Sequence, residues 1–93
     1  MLFRSKRYIE TTAPLIDTLG AAVASRSSDE AKKIVHSAKG ASRSAGADEV
    51  AEICSDLEAA VKDTSWDSAD ALQAQLGPAF GRVRVAVEQL KPV

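Results

Sequence analysis

Apolar residues recur at the three-and-four spacing of an α-helix in four stretches of this 93-residue chain, and only short turn-forming runs separate them. The first stretch spans about Ser5 to Ala24, with Ile9, Leu15, Ile16, Leu19 and Val23 near one face. Pro14, inside it, is expected to kink or restart the helix, because proline lacks the backbone donor. The second begins near Ser28, where Ser27 and Glu30 have the spacing of a capping box, and ends near Ala45 before Gly46. The third runs from about Asp48 to Lys62 with Val50, Ile53, Leu57 and Val61 as its stripe, and Cys54 beside it as a small core residue. The fourth runs from about Asp67 to Leu90 and offers Leu72, Leu76, Phe80, Val83, Val87 and Leu90, with a bend expected at Gly77-Pro78. No segment alternates apolar and polar residues long enough to form a strand. Hydrophobic residues make up 45% of the chain and aromatic ones only 4%, so the core must be aliphatic. The expected architecture is all-α, an antiparallel up-down four-helix bundle forming one domain over residues 1–93.

Several functional classes drop out. Twelve Lys and Arg against 13 Asp and Glu leave a net charge of −1, which gives no general field for nucleic acid. No stretch approaches the ~20 apolar residues of a membrane span, so no membrane association is expected. The N-terminus MLFRSKRYIE has basic residues but no apolar run after them, so a secretory signal is not expected either. One cysteine forms no internal disulfide, which fits a reducing compartment; the expected location is cytoplasmic. A single histidine leaves a zinc site to Cys54 and carboxylates at unsuitable spacing, and a Ser-His-Asp triad would need His36 ordered beside a buried Asp, which nothing in the pattern suggests. No GxxxxGK[ST] or GxGxxG segment follows a strand, so neither an ATP site nor any other cofactor site is expected.

The informative surface lies on the second helix. At about 100° per residue, Ala31, Ile34, Ala38, Ala41 and Ala45 cluster on one side and His36 falls almost opposite. Lys32, Lys39 and Arg43 share that outward face at offsets of minus four, plus three and plus seven. A lone histidine among lysines on a helix face is ordinarily just solvated. Gly40 changes the balance, because glycine in mid-helix costs about 1 kcal/mol relative to alanine and is explained if another molecule must come close to His36. The two nearest cations would then stabilise phosphoryl oxygens during transfer. They are also expected to disfavour a further positive charge on the ring, leaving a neutral imidazole whose lone pair can attack phosphorus without a general base.

The run from His36 to Glu58, HSAKGASRSAGADEVAEICSDLE, resembles the signature of histidine phosphotransfer (HPt) domains, HxLKGxxxxxGA…L…C..LE. His36, Lys39, Gly40, Gly46, Ala47, Cys54, Leu57 and Glu58 stand in register; Ala38 replaces the usual Leu. The resemblance implies that His36 is the phospho-acceptor, that Lys39 assists the phosphoryl group and that Gly40 leaves room for the partner. Arg43 is added from the helical-wheel geometry alone. The implied function is a phosphoryl carrier without its own ATP site, relaying between a sensor or hybrid histidine kinase, or a receiver domain, and a response regulator. Magnesium is expected on the receiver's acidic pocket, and the carrier is expected to be a monomer. Docking is expected on an apolar patch beside the histidine formed by Leu15, Leu19 and Val35, with Lys32 steering the encounter. Two alternatives are the phospho-accepting domain of a chemotaxis-type histidine kinase and a helical adaptor without phosphotransfer.

Overall fold

The computed structural model describes residues 2–89, with side chains from Lys6 onward. Four helices follow one another, α1 (Leu2–Ala24), α2 (Ser28–Ala45), α3 (Asp48–Lys62) and α4 (Trp66–Gln89), and no strand occurs among the described residues. The expected boundaries hold to within a few residues; Leu90 lies outside the described residues. Pro14 and Pro78 lie inside α1 and α4 without dividing either helix.

The three turns share one construction. Each helix closes on a left-handed residue, Arg26 (φ 57°), Gly46 (φ 77°) or Thr64 (φ 55°). The N–H of that residue and of the next reach back to carbonyls of the last turn: Arg26 to Val23 and Ser27 to Ala22, Gly46 to Arg43 and Ala47 to Ser42, Thr64 to Val61 and Ser65 to Ala60. This paired closure satisfies carbonyls that the helix end leaves open. The next helix starts immediately afterwards, so consecutive helices must run antiparallel. The capping box does not form, because Ser27 makes no side-chain cap and its Oγ lies 2.9 Å from Ser25 Oγ.

Side-chain pairs between helices record the up-down order. Tyr8 meets Ser42 between α1 and α2, Lys39 meets Glu58 between α2 and α3, Arg82 meets Glu49 between α4 and α3, and Arg26 meets Asp70 between the turn after α1 and α4. Each helix packs chiefly on its two neighbours around the square. The molecule measures 46 × 19 × 18 Å, the shape of a bundle. No helix of the described residues is long and apolar enough to cross a membrane.

Leu19, Val35, Val50, Leu57, Val61 and Leu76 are fully buried and form the centre of the core. Tyr8 and Phe80 meet edge to face at 5.8 Å. On α2 the buried residues are Ala31, Ile34, Val35, Ala38 and Ser42, whereas Ala41 and Ala45 are half-buried. The buried arc is therefore rotated toward α3 from the one expected. Ser42 enters it because the Tyr8 hydroxyl, 2.8 Å away, supplies a hydrogen-bonding partner inside the core.

Burial corrects the expected docking patch. Leu19 and Val35 have no exposed surface at all, since both are central core residues, and neither can meet a partner. Leu15 alone of the three keeps part of its side chain outside.

Candidate functional site

α2 carries His36 on its solvent side, with 73% of the side chain exposed. The helix is held in that rotation by the burial of Val35 and Ala38 on either side of it in sequence. Lys32 and Gly40, one turn before and one turn after, are exposed as well. A β-carbon placed on Gly40 would meet nothing within 4 Å, so no contact inside the molecule requires glycine there. Gly40 also lies in an ordinary helical conformation, unlike Gly46.

Across the helix pair, Glu58 of α3 meets both His36 and Lys39 of α2. One carboxylate oxygen lies 3.3 Å from His36 Nδ1 and the other accepts a hydrogen bond from Lys39 Nζ at 2.5 Å. The three side chains differ in exposure: Lys39 is mostly covered, at 17%, and Glu58 is partly covered, at 28%. The Lys39 ammonium holds the Glu58 carboxyl below the ordinary carboxylate range, and His36 adds to the effect. Glu58 is thus anionic under neutral conditions and sits against the imidazole.

This carboxylate of α3 joins the cationic stripe of α2 at His36. Glu58 was legible as the last residue of the matched motif. Its partnership was not, because 22 residues separate it from His36 and no periodicity within one helix reports a contact between two.

Arg43 stands apart from the cluster. It is exposed and lines a groove of about 560 Å³ between α2 and α3 with Asp48, Ala51, Glu52, Ser55 and Asp56. Among the described residues it makes no ion pair within 4.0 Å, and it shares no hydrogen bond with His36, Lys39 or Glu58. Cys54 is buried below the site. Burial, with the nearby Glu58 charge, pushes its thiol up to about 11, which suits a core residue and not a nucleophile.

An exposed imidazole with one nitrogen anchored and the other free, beside a lysine and an open glycine on a four-helix bundle, is a surface suited to carrying a group between partners. The Hpt domain family model matches residues 6–91 of the chain. No curated protein and no solved structure matches it. The match takes in all of α2 and α3, where the motif lies, all of α4 and most of α1, so the chain belongs to the Hpt domain family, phosphotransfer modules of two-component signalling.

Proposed function

We propose that His36 accepts a phosphoryl group from the aspartyl phosphate of a receiver domain, or from a histidine kinase, and passes it to an aspartate of a response regulator. The observation that carries this reading is the contact between His36 Nδ1 and Glu58 on an otherwise exposed ring. A carboxylate accepts hydrogen bonds and donates none, so Nδ1 carries the proton and Nε2 keeps its lone pair facing solvent.

In the forward step Nε2 attacks phosphorus, the N–P bond forms, and the bond from phosphorus to the aspartyl oxygen breaks, releasing a free carboxylate. The imidazole becomes cationic as the bond forms. Glu58 stabilises that charge through Nδ1–H, and no proton has to leave. The reverse sequence discharges the phosphoryl group onto the acceptor aspartate. Lys39 fixes Glu58 in place and is the lysine of the cluster available to the phosphoryl oxygens. The chain acts as a carrier; ATP chemistry belongs to a kinase partner and magnesium to the receiver's acidic pocket.

His36→Gln tests the assignment. The variant should keep the helical circular dichroism and lose all acid-labile, base-stable phosphate after incubation with phosphorylated receivers. Labelling retained in the variant would overturn the assignment.

A further inference from the structure

The outward face of α4 is uncharged through the middle of the helix, since no Asp, Glu, Lys or Arg occurs from Ala71 to Gly81. Ala69, Leu76, Ala79 and Phe80 are its buried residues. At about 100° per residue, Ala71, Ala74, Gly77, Pro78 and Gly81 fall on the opposite side, within about 120° of one another. Val85 continues the line of Ala74 and Pro78, and it is the one large hydrophobic side chain left exposed among the described residues, at 52%. The solvent side of a surface helix is ordinarily charged, and depletion of charge marks the centre of a protein interface.

The residues along this strip do not serve the helix itself. Glycine and proline are the poorest helix formers. A β-carbon on Gly77 or Gly81 would meet nothing within 4 Å, and neither glycine is left-handed, so nothing inside the molecule requires them. Pro78 has no N–H, which leaves the Ala74 carbonyl, in the middle of the strip, without its helical donor. Small side chains allow a second helix to come to the near end of the 8–10 Å range of interaxial distances. At that distance the Cα–H of a facing glycine can meet such a carbonyl.

The charges at the two ends of the strip indicate what covers it. Asp67 and Asp70 are exposed at its N-terminal end, Arg82 and Arg84 at its C-terminal end. Asp70 pairs with Arg26 and Arg82 with Glu49, whereas Asp67 and Arg84 make no ion pair among the described residues. A helix with opposite charges at its two ends is complementary to a second copy of itself running antiparallel. We propose that two copies of this chain pair through the outer face of α4, about a two-fold axis passing between Gly77 and Pro78. That axis brings Ala74 of each copy to Gly81 of the other, and Arg84 of each to the end of the other that carries Asp67. Glu88 is exposed on the same side but lies about 16 Å along the helix from the axis, where helices that cross at an angle have separated. α4 packs on α1 and α3 and stands across the square from α2, so the charges of α1 and α3 are set back on either side. Both His36 rings therefore stay in solvent, on opposite sides of the pair. In place of the single copy expected from the sequence, the chain forms a weak, reversible dimer, because a contact one helix wide falls below about 1,200 Å².

Sedimentation equilibrium of the 93-residue chain at low salt, from about 10 μM to about 1 mM, tests the pairing. The mass should rise with concentration from the 9.8 kDa of one copy toward twice that value. Ala74→Glu and Gly77→Glu place a carboxylate in the uncharged strip at exposed positions. Both should keep the helical circular dichroism and weaken the dimer at least about tenfold. Arg84→Glu and Asp67→Arg should each weaken it at least about threefold, and the double variant should restore it, because exchanging the two signs leaves every pair opposite. These two charge variants carry the test if either strip variant loses its helical signal. A wild-type chain that stays at the mass of one copy up to about 1 mM would overturn the proposal. So would a dimer undiminished in Ala74→Glu and Gly77→Glu, or a charge-exchanged double variant no tighter than the single ones.

Discussion

If His36 carries the phosphoryl group as proposed, Gly40 and Glu58 serve it in different ways, which single substitutions separate. Gly40 has open space about its α-carbon and an ordinary helical backbone, so alanine there should only add helix propensity. Gly40→Ala is expected to raise stability by up to about 1 kcal/mol in denaturant unfolding, whereas Gly40→Gln should leave the helix intact and slow transfer from a receiver. Equal transfer rates in the two variants would remove the steric role. Glu58 acts through charge. Its folded carboxyl sits below the value of 4.5 that it has when unfolded. A group shifted in that direction contributes stability that is fully present above about pH 4.5 and is lost as the pH falls through the lower folded value. Melting temperatures of wild type and Glu58→Gln should therefore differ most near neutral pH and converge in acid. A gap that stays constant across the acid range would show that the carboxylate is not the source.

At the scale of the element, the turns are more informative than the helix interiors. All three helix ends use the left-handed closure, but only one of them places glycine at it. Arg26 is compensated: its guanidinium donates to both Asp70 carboxylate oxygens, at 2.7 and 3.0 Å, and lies 5.4 Å from the centre of the Trp66 ring. Among the described residues Thr64 has no such compensation, and its one side-chain hydrogen bond there is to the neighbouring Asp63 carbonyl. A β-branched residue in this conformation is strained by about 1–2 kcal/mol, of which glycine's greater freedom in the unfolded chain returns part. Thr64→Gly is thus expected to stabilise the bundle by roughly 0.5–1 kcal/mol, read as a higher melting temperature. Gly46→Ala should do the reverse by a similar amount, because Gly46 holds φ 77°. The stop after α2 could be read from Gly46 directly. The same closure after α1 and α3 could not, since neither Arg26 nor Thr64 belongs to the residue types that favour it.

At the scale of the whole molecule, one buried hydrogen bond between side chains of two helices occurs among the described residues, in a largely aliphatic core. The Tyr8 hydroxyl and Ser42 Oγ lie 2.8 Å apart, joining the N-terminal part of α1 to the C-terminal part of α2. Burial raises the Tyr8 phenol above its ordinary range, so it stays neutral and can donate. Removing one partner leaves the other buried and unsatisfied, a cost of about 1–3 kcal/mol, whereas removing both costs much less. Tyr8→Phe and Ser42→Ala should each lower stability by that order, and the double variant by less than their sum. Strict additivity in urea unfolding would mean that the two hydroxyls do not depend on each other.

What the amino-acid sequence determined alone is whatever depends on near neighbours along the chain. The four apolar stripes, the starts at Ser28 and Asp48, the stop at Gly46 and the outward His36 with Lys32 and Gly40 all follow from spacing within one helix, where a fixed rotation per residue converts sequence position into direction. Tertiary structure decided what depends on the meeting of two helices. Val35 and Ser42 became core while Ala41 and Ala45 stayed partly outside, because α2 packs between α1 and α3 and its buried arc is set by both. Lys39 turned from the stripe toward Glu58, and Arg43 came to line an acidic groove, because each side chain's surroundings are completed by α3. Helical periodicity says which way a side chain points, but the electrostatics it meets there come from residues that only packing brings near.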